Sequence, residues 1–179
     1  MNEQDVLTFW FQESAEKQWF TKDSGYDEQI RQKFGSCHQQ AIRGECVGWR
    51  KNIRGRLAEI IVLDQFSRNL FRDSPLAFAN DGMALVLTQE AIATGEIDQL
   101  SQVERSFLFM PLMHSESLVI HDEALKRFAE PGMETTLDFE KRHRDILLRF
   151  GRYPHRNQIL GRASTDEELA FLTEPGSSF

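Results

Sequence analysis

Asp64 and Arg68 stand where the chain's own pattern asks for apolar side chains. They lie in Ile53 to Pro75, IRGRLAEIIVLDQFSRNLFRDSP, where Ile53, Leu57, Ile60 and Ile61 recur at the spacing of one helical face. At about 100° per residue, Asp64 falls between Ile60 and Leu57, at the centre of the apolar arc. The four-residue spacing lets Asp64 and Arg68 touch. Exposed, such a pair is worth a few tenths of a kcal/mol; buried, each ion costs several kcal/mol in desolvation. A buried pair therefore needs good partners. Gln65, Asn69 and Arg72 flank it. Two readings stand side by side: an ion pair that pins helix packing, and a polar ligand site.

Three further groups carry possible chemistry. In FMPLMHSES, Phe109 to Ser117, the residues His114 and Glu116 follow Pro111, where a helix is expected to restart. Free N–H groups at a helix start bind anions, and a histidine there is a candidate general acid or base. Capping by Ser115 or Ser117 is the plainer reading. Phe139, His143, Ile146, Leu147 and Phe150 form one helical stripe with a histidine in it. Glu140-x-x-His143 also has the form of half a di-iron motif, but no second copy exists, so a buried histidine paired with a core polar group is preferred over a metal. Finally, FGRYPHRNQILGR crowds Arg152, His155, Arg156 and Arg162 into one loop. Arginine offers bidentate recognition of carboxylate or phosphate; local charge balance is the alternative.

Helices must hold these groups. Val6, Leu7, Trp10 and Phe11 mark a first helix, and Trp19 and Phe20 a turn. A second helix, N-capped by Asp27, carries Ile30, Phe34, Cys37, His38 and Ala41 and ends near Gly44. His38 on its inner stripe reads as a packed structural residue. The central helix stops near Arg72, because Ser74-Pro75 predicts a fresh start. That next helix carries Leu76, Ala79, Met83, Val86, Leu87 and Ile92 to Gly95. Ser101 and Glu104 form a capping box for another, which Pro111 should kink or break. Leu118 to Phe128 and Leu137 to Phe150 follow, the latter capped by Gly151. Thr165 and Glu168 box a short last helix. No segment alternates with period two, so no sheet is expected. The expectation is an all-α domain of about eight stacked antiparallel helices over residues 1–172, with a frayed tail at 173–179. QQAIRGE (39–45) and QEAIATGE (89–96) hint at a helical repeat.

The 179 residues include 40% hydrophobic side chains and 14 phenylalanines, enough for a large core. The net charge of −7 argues against a nucleic-acid partner. Cys37 and Cys46 lack metal-type spacing and read as reduced thiols. There is no signal-peptide pattern, and the longest apolar run falls far short of the about 20 residues of a membrane span. A cytoplasmic protein without membrane contact is expected. Motifs for phosphate loops, dinucleotide binding, zinc hydrolysis and serine hydrolysis are missing, and no metal or cofactor is expected.

LDQFSRNLFRDSPLAF (63–78), FMPLMHSES, and the RFGRYPHRNQILGR segment with its following Ser164, Thr165, Glu167 and Glu168 together resemble the bacterial family known as domain of unknown function 924. VLTFWF and WFTKD near the start are similar to that family's opening. The resemblance spans Val6 to about Leu172. It implies a tetratricopeptide-like helical fold and no established activity. Its signature residues here are Asp64, Gln65, Arg68, Asn69, His114, Glu116, His143, Arg152, His155, Arg156 and Asn157. A signature this polar implies a single cleft, in which Arg68, Arg152 and Arg156 hold a small anionic or polar ligand, or a peptide end, while Asp64 orients Arg68. An enzyme reading makes His114 or His143 the general base, with Asp64 or Glu116 as partner. A helical scaffold for protein partners is the third. The oligomeric state is not legible.

Overall fold

A computed structural model describes all 179 residues, and every regular element in it is helical. The ten α-helices are α1 Glu3–Thr8, α2 Glu16–Phe20, α3 Ser24–Ile42, α4 Ile53–Ile61, α5 Ser67–Leu70, α6 Asp81–Ala93, α7 Gln102–His114, α8 Leu118–Phe128, α9 Glu134–Phe150 and α10 Asp166–Phe171. Widened π turns follow α1 at Phe9–Glu13 and α4 at Val62–Phe66. The chain divides into two compact units, residues 1–72 with 76–111, and residues 73–75 with 112–179. No helix is long and apolar enough to cross a membrane.

The first unit is built around α4 and its continuation through α5. Every residue from Leu57 to Ser67 is buried, including Glu59 at 0% exposure. This helix is enclosed on all sides rather than along one stripe. An aromatic cluster fills the unit: Phe9, Trp10, Tyr26, Phe34, Phe66 and Phe107 pack ring against ring, Phe34 lying 4.9 Å from both Phe9 and Phe66. Trp19 seals it, donating from its indole N–H to the Trp10 carbonyl. Trp19 and Phe20 thus belong to a helix, α2, not to a turn. Gly55 lets the Val47–Lys51 turn approach α4, since a Cβ there would stand 1.9 Å from the Trp49 carbonyl oxygen. Cys37 and Cys46 are free, buried thiols, and burial pushes Cys37 up to about 11.

Three helix boundaries differ from the expectation. Asp23, not Asp27, caps α3 by accepting from the Gly25 and Tyr26 N–H groups. Ser74-Pro75 opens only a short 3-10 turn, and α6 starts at Asp81. Pro111 sits inside α7, which continues to His114. Proline removes one ladder bond, but neighbouring packing can hold the helix through it: Leu108, Phe109, Leu112 and Met113 are all buried. The boxes at Ser101–Glu104 and Thr165–Glu168 form as expected, and Gly151 closes α9 at φ +71°.

In the second unit α8 and α9 pack together, and α9 places Ile146 and Leu147 with Tyr153, Phe150 and Phe171 in a small core. The tail expected to fray instead turns back. Ser177 is buried and donates to the Leu172 carbonyl, and Phe179 stacks on His143.

Candidate functional site

Of the eleven signature residues, Asp64, Gln65, Arg68 and Asn69 belong to the first unit and the other seven to the second. Asp64 is 1% exposed, and the π turn around it explains how its charge is satisfied. A widened turn shifts the backbone ladder by one residue and offers carbonyls to other donors. The Asp64 carbonyl accepts from Arg68 at 2.9 Å, and the Leu63 carbonyl from the Ser67 hydroxyl at 2.6 Å. Arg68 also meets the Asp64 carboxylate at 3.0 Å and grips Asp81 with two N–H groups. Gln65 donates to the other Asp64 oxygen at 2.6 Å. Asn69 donates to Asp27, which Arg72 holds bidentately. His38 lies 2.8 Å from the Ser67 hydroxyl; because that hydroxyl donates to Leu63, the His38 Nε2–H is the donor, and burial lowers its basicity. The network is a set of closed ion pairs.

The second unit converges on Tyr153, which is fully buried. Its backbone N–H donates to Glu116 and its carbonyl accepts from Arg162. Its hydroxyl donates to the Met113 carbonyl at 2.6 Å and lies 3.0 Å from His121 Nε2. Its ring meets those of His121, His143 and His155 at centroid distances of 6.4, 5.6 and 5.7 Å. The Arg156 guanidinium lies 4.8 Å above it and donates to the His114 carbonyl.

His121 Nε2 also faces the Ser115 carbonyl at 2.8 Å, so Nε2 carries a proton. Nδ1 stands 2.6 Å from Glu140 Oε1, both residues at 0% exposure. Burial raises the Glu140 carboxyl while His121 draws it down, and one proton lies between the two atoms. Neither residue carried a sequence signal as a pair: they are 19 positions apart on different helices. His143 donates from Nδ1 to the Phe139 carbonyl at 2.7 Å, and burial pushes its basicity down to about 3, helped by His114, His121 and His155. The ring is neutral, with Nε2 left as an acceptor. Glu140 and His143 are thus engaged separately, and no group of three or more metal-type ligands gathers anywhere.

The loop arginines each have carboxylate or carbonyl partners. Arg152 holds Glu168 bidentately at 2.7 and 2.8 Å, drawing that carboxyl down to about 2. Asn157 adds a bond to Glu168 and accepts from Arg162. Arg162 clamps Glu116 through two N–H groups at 2.7 and 2.9 Å. Burial raises Glu116, but Arg162 and the Tyr153 N–H bring it below the ordinary carboxylate range. His114 ends α7 instead of starting a helix. Beside this lattice opens a groove of about 490 Å3. His155, Gln158, Arg162 and Ser164 line it together with Leu169 and Leu172.

The comparisons with known proteins agree with this architecture. A solved structure from Agrobacterium tumefaciens, a protein of unknown function, is 35% identical with a TM-score of 0.91, over 96% of this chain and 96% of its own. No curated protein matches. Residues 6–176 match the model of a bacterial family of proteins of unknown function, DUF924. With nearly the whole chain matched and a close structural relative beside it, the chain belongs to the DUF924 family.

Proposed function

We propose that this protein binds a small anionic or polar ligand, or the end of a peptide, in the groove of its second unit. The observation that carries this reading is the gathering of His155, Gln158, Arg162 and Ser164 against two leucines around one opening. A volume of about 490 Å3 is within the range of small-molecule sites, which combine apolar walls with a few fixed polar groups. Arg162 is held rigid by Glu116, Asn157 and the Tyr153 carbonyl, so it presents its edge without further ordering. Its charge is shared with Glu116, which favours a carboxylate or another singly charged group over a polyphosphate. Arg152 and Arg156 then support the loop, and Arg68 and Asp64 brace the first unit. The family resemblance supports reading the helices as a tetratricopeptide-like stack.

Acid–base catalysis by His114 or His143 with Glu116 draws less support, because Glu116 is committed to Arg162 and His143 is a weak base. A thermal-shift and calorimetric screen of small carboxylates, inorganic phosphate and mononucleotides tests the binding reading. Carboxylates should raise the melting temperature, and His155→Ala with Gln158→Ala should remove that ligand-induced rise, measured against each protein's own unliganded melting temperature. Absence of any shift across the screen would end the reading.

A further inference from the structure

The Phe179 ring lies 3.6 Å from that of His143, centroid to centroid, with the planes 22° apart. It also meets the edge of His155 at 5.8 Å and 78°. His155 is therefore shared: it bounds the stacking place of Phe179 and lines the groove that holds Arg162. Leu172, another groove residue, begins the segment that carries Phe179 back. The fold-back is anchored by Ser177, with Gly176 at φ +78° making the turn. His143 is 6% exposed beneath the ring, whereas Phe179 is 52% exposed on its outer side. A ring with about half of its surface in water leaves its place at small cost. What it covers is not small: a flat imidazole, fixed by its bond to Phe139 and backed edge-on by Tyr153. Such a face favours another flat ring.

We propose that the His143 face is a binding slot for a planar ring, held in this structure by Phe179, and that the ligand joins a flat ring to an anionic group. The ring displaces Phe179, and the anion reaches past His155 into the groove beside Arg162. This rests on the groove being a binding site, and it narrows the ligand class to small aromatic carboxylates and similarly built anions. Neutrality of His143 suits the assignment, because an uncharged imidazole stacks without desolvating a charge.

The test measures binding of benzoate, acetate, inorganic phosphate and benzyl alcohol to the full chain and to Phe179→Ala by calorimetry, with the His143 ring followed by NMR. Removal of a competing internal ring should strengthen benzoate binding about three- to tenfold and shift the His143 resonances on binding. Acetate and phosphate should bind the two proteins equally and more weakly than benzoate. His143→Ala should abolish the gain in benzoate affinity. If acetate and phosphate bind while benzoate gains nothing in Phe179→Ala, the slot is refuted and the groove stands. If benzyl alcohol binds Phe179→Ala but no anion binds either protein, the slot stands and the groove reading fails. Absence of binding by all four compounds refutes both.

Discussion

At the residue scale, the polar signature residues are held mainly by partners outside the signature, among them Asp81, Asp27, Glu168 and Arg162, and the strongest consequence concerns a histidine that the signature also omits. His121 is enclosed by Glu140, the Ser115 carbonyl and Tyr153. Truncation would leave Glu140 fully buried without its partner. Breaking a buried pair this way costs about 3–5 kcal/mol, so His121→Ala should lower the urea midpoint accordingly. A loss under about 1 kcal/mol would show that water reaches Glu140 in solution. His121 escaped the sequence reading because it looked like one more histidine on an amphipathic helix, and its partner lies on the next helix. Asp64 was legible because its position on the apolar arc is a local property. The chain does not show that Arg68, its partner, would also bind Asp81 and the Asp64 carbonyl in the π turn.

At the element scale, the boxes at Ser101 and Thr165 and the glycine closing α9 were readable because caps form within four residues. Elements that depend on distant contacts were not. Asp27 looked like a cap for α3, yet it pairs with Arg72 from 45 positions away. Pro111 looked like a break, yet α7 runs through it because buried neighbours hold both sides. Gly55 belongs to the same category, since only packing reveals that the Trp49 carbonyl occupies the space its Cβ would take. Gly55→Ala should therefore destabilise the protein by about 1–3 kcal/mol, despite alanine's better helix propensity. An unchanged or raised melting temperature would contradict that close approach.

At the scale of the whole molecule, stability should fall on acidification. His143 takes a proton near pH 6.5 in the unfolded chain but only near 3 when folded. Above pH 6.5 the ring is neutral in both states and contributes nothing. Between 6.5 and 3 the unfolded chain binds the extra proton, so stability is lost progressively, reaching on the order of 4–5 kcal/mol. Glu168, drawn to about 2, adds a loss between 4.5 and 2. Glu140, raised by burial, acts in the opposite sense, its contribution being greatest in acid and falling as pH rises through its folded value. Melting temperatures from pH 7.5 to 4.5 should drop more steeply for the unaltered protein than for His143→Gln. Equal slopes would place His143 in water.

The chain alone determined an all-helical protein, the caps at Ser101, Thr165 and Gly151, the place of a charge on the apolar arc at Asp64 and the crowding of cations near the Arg152 loop, because all of these follow from spacings within a few residues. Which cation meets which carboxylate was decided only by tertiary structure. So were the proton between His121 and Glu140, the histidines around Tyr153 and the seating of Phe179 on His143. Those contacts include pairs 13, 16, 19 and 46 residues apart, and over such separations only the packing of helices, not their periodicity, sets who touches whom.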